Sequence, residues 1–239
     1  MSETNNRVGS VGAARNDTWR GFKDGIPIML GFVPFALVLG AQATQKGFSA
    51  IEVPMMTGLN FGGGSEFAAV ELWTSPPHIL LIVAITFLVN SRHLLMGAAF
   101  APLMRGLSHR QALSVLFFMC DESWAMGLAD AHRRHGDLNR GYFFGAALGL
   151  YATWIIFTTT GALVGPFLGD VTRFGFDMAF PAVFLVMLAG MWKGPLAARP
   201  WLVSLTVAGA THVFLPGAWY VPAGALSGLI AAYFWARSA

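Results

Sequence analysis

From Gly25 onward, long apolar runs alternate with short polar or basic stretches. A helix needs about 20 apolar residues to cross a bilayer core at about 1.5 Å per residue. Eight runs reach or approach that length: 25–45, 51–73, 78–104, 111–130, 141–167, 178–194, 201–216 and 218–236. The first, third and fifth are long enough to cross with tilt. The last three are short and broken by Gly and Pro, and 201–216 and 218–236 suit a hairpin through Pro216-Gly217. The expected fold is all-α, a polytopic integral membrane protein of about eight transmembrane segments. Residues 1–23 lack an apolar core, so no cleavable signal is expected there and a disordered cytoplasmic tail is predicted. Residues 24–239 read as a single transmembrane domain without an internal repeat.

Composition supports this pattern. Only 11% of the 239 residues are charged and 55% are hydrophobic, whereas soluble domains carry about 25% charged residues. A chain so poor in charge cannot cover a water-facing surface. The basic residues act as topology signals instead. With eight crossings and the N-terminus inside, the inside set is Arg7, Arg15, Arg20, Lys23, Arg133, Arg134, Arg140, Lys193, Arg199 and Arg237. Lys46, Arg105, Arg110 and Arg173 fall outside. Ten against four places both termini in the cytoplasm, against the local trend at Arg105 and Arg110. Cys120 is the only cysteine, so no internal disulfide can form.

Four polar clusters sit at membrane depth, where an ionisable group costs about 2.5–3.5 kcal/mol on insertion scales. In Asn60-Phe61-Gly62-Gly63-Gly64-Ser65-Glu66-Phe67, three glycines weaken a helix and Ser65 reads as the N-cap of a new one, so the second span is expected to be broken by Gly. In Asn90-Ser91-Arg92-His93, Asn90 and His93 share a face and Arg92 needs a partner. In Asp121-Glu122-Ser123-Trp124, adjacent carboxylates point in different directions and suit different roles. At similar depth across an antiparallel connection, Arg92 is expected to pair with Asp121 or Glu122, leaving the other free to couple. His212, near Pro216-Gly217, is the fourth candidate, either an interhelical hydrogen-bond partner or a relay.

Rival chemistries find less support. Ser65 and His212 on different spans suggest an intramembrane serine hydrolase, but Gly63-Gly64-Ser65-Glu66 lacks a glycine after the serine. A channel would show a filter-like repeat. No phosphate-binding loop and no metal-ligand spacing occurs, so neither cofactor nor metal is expected.

Three stretches carry a resemblance: Leu59 to Ala69, Asn90 to Ala98 and Asp121 to Ala125, with Gly25-Ile26-Pro27, Gly31, Pro34 and Gly40 ahead of them. From about Arg20 to Trp235 the chain resembles the AzlC family, the large subunit of branched-chain amino acid exporters. The resemblance implies export of branched-chain or related apolar amino acids across a bacterial cytoplasmic membrane, no enzymatic activity, and a small membrane subunit of the AzlD type. One departure stands out: the family usually has Gln where this chain has Glu66. A carboxylate there can repel a substrate carboxylate, bind its ammonium or titrate.

The expected substrate site combines these residues. The N–H groups from Gly63 to Phe67, beside Asn60, take the substrate carboxylate. Asp121 or Glu122 takes the ammonium or the coupling ion, and Asn90 and His93 orient them. Met55, Met56, Phe61 and Phe117 are candidates for the apolar pocket.

Overall fold

The structure, a computed structural model, describes residues 2–134, 136, 138–167, 185, 189, 192, 194–215 and 219–237, with side chains from Asn16 to Trp235 within those ranges. The expected span 178–194 lies almost wholly outside the described residues, as does Pro216-Gly217. The described residues are helical, without a strand: α1 (Ser2–Gln45), α2 (Glu52–Asn60), α3 (Gly64–Glu71), α4 (Ile79–Asn90), α5 (Arg92–Phe100), α6 (His109–Phe117), α7 (Asp121–Arg134), α8 (Arg140–Val164), α9 (Arg199–Phe214) and α10 (Tyr220–Arg237). Residues 16–23, expected in the disordered tail, are helical and packed against α7 and α8.

Three stretches are long and apolar enough to cross a membrane: Asn16–Gln45, Ile79–Met104 and Arg140–Phe167. They coincide with the first, third and fifth runs of the sequence pattern. Tyr220–Trp235 is a shorter apolar helix. Large apolar side chains point outward, with Leu80 84%, Phe87 72% and Phe214 81% exposed. Water would penalise that surface and hydrocarbon would not.

The centre of the fold is the pairing of α1 with α8, made close by glycine. A Cβ on Gly21 would sit 2.0 Å from the Tyr142 carbonyl oxygen, and one on Gly145 2.0 Å from that of Thr18. At the other end, a Cβ on Gly40 would fall 1.9 Å from the Thr158 oxygen, and one on Gly161 2.1 Å from the Leu37 oxygen. Low residue numbers on one helix meet low numbers on the other, so α1 and α8 run parallel with their backbones touching. Between helices in lipid, such van der Waals contact takes over the role that water exclusion plays in soluble proteins.

Two apolar clusters flank this pair. Leu39, Val53, Phe67, Leu150 and Trp154 join α1, α2, α3 and α8. Met96, Phe100, Val115, Met119 and Phe143 join α5, α6 and α8. The α9–α10 hairpin is antiparallel and also packed through glycine, with Gly224 against Ala208 and Gly228 against Ser204.

Candidate functional site

Three helix interruptions meet at one place. The first separates α2 from α3 at Phe61 to Gly63, where Phe61 takes a left-handed conformation with φ 44° and Gly63 has φ 43°. The backbone groups released there find specific partners. In an unbroken helix the Gly62 N–H would reach the Gly58 carbonyl. Instead Gly62 N–H donates to Glu66 Oε1 at 2.8 Å, and the Gly58 carbonyl accepts from the Tyr151 hydroxyl at 2.7 Å. The Ser65 N–H donates to the Gly62 carbonyl, and those of Glu66 and Phe67 to the Gly63 carbonyl.

Glu66 is the hub of this turn. It is 1% exposed; besides Gly62, it accepts from the Trp154 indole at Oε2, 2.7 Å, and from the Asn60 amide at Oε1, 3.4 Å. Asn60 also donates to Ser65 Oγ at 2.8 Å, and Asn90 donates to Asn60 Oδ1 at 3.0 Å. Asn60, Ser65, Glu66 and Asn90 therefore form a support behind the turn, not its exposed face.

The second interruption is mild, at Ser91 between α4 and α5. It presents Arg92, whose Nη2 lies 3.5 Å from the Gly62 carbonyl, and His93, whose Nδ1 lies 3.1 Å from the Asn90 carbonyl oxygen. The third separates α6 from α7, and Ser123 Oγ accepts the Cys120 N–H at 2.9 Å to start α7. Asp121 and Glu122 occupy the first turn of α7, where the positive end of the helix dipole favours carboxylates. Arg92 Nη1 is 2.5 Å from Asp121 Oδ2, an ion pair with both side chains about one-third exposed.

Around these breaks lies a cavity of about 280 Å³, close to the lower end of the ~300–1,000 Å³ of small-molecule sites. Its polar rim is Arg92, His93, Asp121 and Glu122 with the backbone of Gly62, Gly63 and Gly64. Its apolar wall is Ile28, Phe32 and Phe35 from α1, Phe61 and Phe67 beside the first break, and Trp154 from α8. Phe32 meets the Trp154 ring edge-on at 5.5 Å.

Of the residues expected from sequence, Gly63, Gly64, Phe67, Arg92, His93, Asp121 and Glu122 line the cavity. His212 does not: it is exposed on α9, with its ring edge-on to Tyr220 at 5.1 Å. Ser65 is fully buried and bonded to Asn60, so the serine–histidine dyad of the hydrolase reading is not assembled. Met55 and Phe117, candidates for the apolar pocket, are 56% and 48% exposed and point elsewhere, while Phe61 is in the wall. The α1 wall and Trp154 were missed. Gly31, Phe32 and Phe35 lie in an uninterrupted apolar run, and nothing local distinguishes a cavity-facing Phe from a lipid-facing one.

Apolar helices turned outward around a charged interior cavity define an α-helical membrane protein. The chain belongs to the AzlC family: residues 27–168 match the family model described as AzlC protein. It is 28% identical to the branched-chain amino acid transport protein AzlC of Bacillus subtilis, over 74% of this chain and 70% of that one. It is 25% identical to the inner membrane protein YgaZ of Escherichia coli over 90% of both chains. An uncharacterized membrane protein of Archaeoglobus fulgidus is 28% identical over 73% of this chain and 76% of its own. No solved structure matches the chain.

Proposed function

We propose that this chain exports branched-chain or related apolar amino acids across a bacterial cytoplasmic membrane, as a secondary transporter working with a small AzlD-like membrane subunit. The observation that carries the reading is the two-sided cavity. One end holds a cation and two carboxylates, and the other is an aromatic and aliphatic wall. A zwitterion with an apolar side chain has the same division. The substrate carboxylate is drawn to Arg92 and the Gly63-Gly64 backbone, the ammonium to Asp121, and the side chain to Phe32, Phe35, Phe61 and Trp154. The rim counts formally as one positive against two negative charges, so Glu122 is left for a coupling cation. Buried charges in membrane helices mark substrate and ion paths in general.

The topology proposed is eight crossings with both termini cytoplasmic, in one transmembrane domain whose second span is α2 and α3 together. The parallel packing of α1 and α8 supports it, because an odd number of crossings must then separate them. A re-entrant 51–73 alone would make them antiparallel.

Counterflow in liposomes, with a panel of labelled amino acids, tests the function. Exchange of Leu, Ile, Val or Met, but not of Asp or Lys, is expected. No exchange of any amino acid by folded, oriented protein, with its subunit present, overturns the reading.

A further inference from the structure

A second charged cluster lies outside the cavity, at the end of α1, α7 and α8 nearest the N-terminus. Arg20 Nη1 is 2.8 Å from Asp130 Oδ1, and Arg134 Nη2 is 2.7 Å from Asp17 Oδ1. Asn139 donates to Asp17 Oδ2 at 2.7 Å, the Tyr142 hydroxyl donates to Asp24 at 3.0 Å, and the Arg20 guanidinium lies 4.3 Å from the centre of the Tyr142 ring. The Arg20–Asp130 and Arg134–Asp17 links tie α7 to α1. The Asn139 and Tyr142 bonds join only α1 to the start of α8.

Both helices tied by these links also carry cavity walls. α7 bears Asp121 and Glu122 at one end and Asp130 and Arg134 at the other, about 12–20 Å apart. α1 bears Ile28 to Phe35 in the cavity and Asp17 and Arg20 in the cluster. Between the two layers, Gly25 faces the methyl ends of Met29 at 3.0 Å and Met126 at 3.9 Å, measured from where its Cβ would stand. Met29 and Met126 thus lie between the cavity layer and the charged cluster.

Two observations mark α7 as the part that moves. α1 and α8 are locked backbone to backbone, whereas Gly127 of α7 faces side chains, its Cβ position lying 3.0–3.4 Å from Phe100, Phe143 and Leu138. Side chains can change rotamer, and interlocked backbones cannot slide. The charged cluster is also under-satisfied. Asp130 Oδ2 is buried without a hydrogen bond, because Arg134 Nε lies 3.4 Å away outside hydrogen-bond geometry. Opening to water would hydrate that oxygen, offsetting part of the lost pairing.

We propose that Asp17, Arg20, Asp130 and Arg134, over Met29 and Met126, form a gate that closes the cavity towards the N-terminal side and opens when α7 leaves the α1–α8 pair. This rests on the cavity being the transport site, but its test does not depend on transport. Cys120, the chain's only cysteine, lines the cavity and is 8% exposed, so it reports access. The full chain in oriented proteoliposomes is labelled from one face at a time with a membrane-impermeant methanethiosulfonate reagent. From the N-terminal face, Asp130→Asn and Asp17→Asn should each label at least about fivefold faster than wild type, the population change of about 1 kcal/mol. From the opposite face the rate should not change. Asp17 is one-quarter exposed, so its variant tests the gate even where Asp130→Asn fails to fold. Wild-type rates in the folded variants, or equal gains from both faces, overturn the gate. Gated labelling without amino acid counterflow leaves the gate standing and overturns the transport reading. Counterflow with ungated labelling does the reverse.

Discussion

Glu66→Gln sets two physical arguments against each other. Substitution toward the residue a family usually carries commonly stabilises by about 0.5–2 kcal/mol, and the resemblance puts Gln at this position. The geometry demands the opposite. Glu66 accepts at both oxygens, from the Gly62 N–H at one and the Trp154 indole at the other. A Gln amide offers one oxygen and one NH₂, so one of these donors must face a donor. A hydrogen bond contributes about 0.5–1.5 kcal/mol net, and a buried donor left unpaired costs about 1–3 kcal/mol. Loss of one such bond predicts destabilisation by about 2–4 kcal/mol. Trp154→Phe removes the opposing indole donor, so Glu66→Gln should cost about 1–2 kcal/mol less in that background than alone. Equilibrium unfolding in mixed detergent–dodecyl sulfate micelles, followed by circular dichroism, measures all four corners of the cycle. A Glu66→Gln chain as stable as wild type would refute the reasoning, as would an equal cost in both backgrounds.

Other outcomes follow from the same contacts. Arg92→Ala leaves Asp121 unpaired and should cut folded yield and abolish counterflow; Arg92→Ala with Asp121→Ala should recover yield beyond either single variant, as fluorescence-detected size exclusion would read. Gly161→Ala places a methyl 2.1 Å from the Leu37 carbonyl oxygen and should destabilise by about 1–3 kcal/mol. Gly31→Ala, whose Cβ would meet nothing within 4 Å inside α1, should not lower the melting temperature and should raise it slightly, which makes it the control. Glu122→Gln should abolish movement driven by a proton or sodium gradient while substrate exchange continues, separable by comparing counterflow with gradient-driven flux.

Three helices long and apolar enough to cross were legible because bilayer thickness sets the length of any apolar run that crosses, and a run of that length needs no tertiary information to be read. The breaks were partly legible. Three glycines followed by Ser and Glu mark the one at Phe61 to Gly63, and matching depths along antiparallel helices bring Arg92 to Asp121. The break between α6 and α7 carries no Gly or Pro and was read as continuous helix, since only packing opens it. Which polar groups face the cavity was decided by the tertiary structure. Glu66 looks like a site residue in sequence and is a buried brace, because the Trp154 indole that captures it lies 88 residues away. The same holds for the pairing of α1 with α8. Glycines at Gly21, Gly40, Gly145 and Gly161 are visible one by one, but that they face one another follows only from two helices brought together in parallel. The basic residues at Arg20 and Arg134 read as topology anchors for the same reason. Their acidic partners Asp130 and Asp17 are 110 and 117 residues distant, and charge counting along a chain does not register contacts made across it.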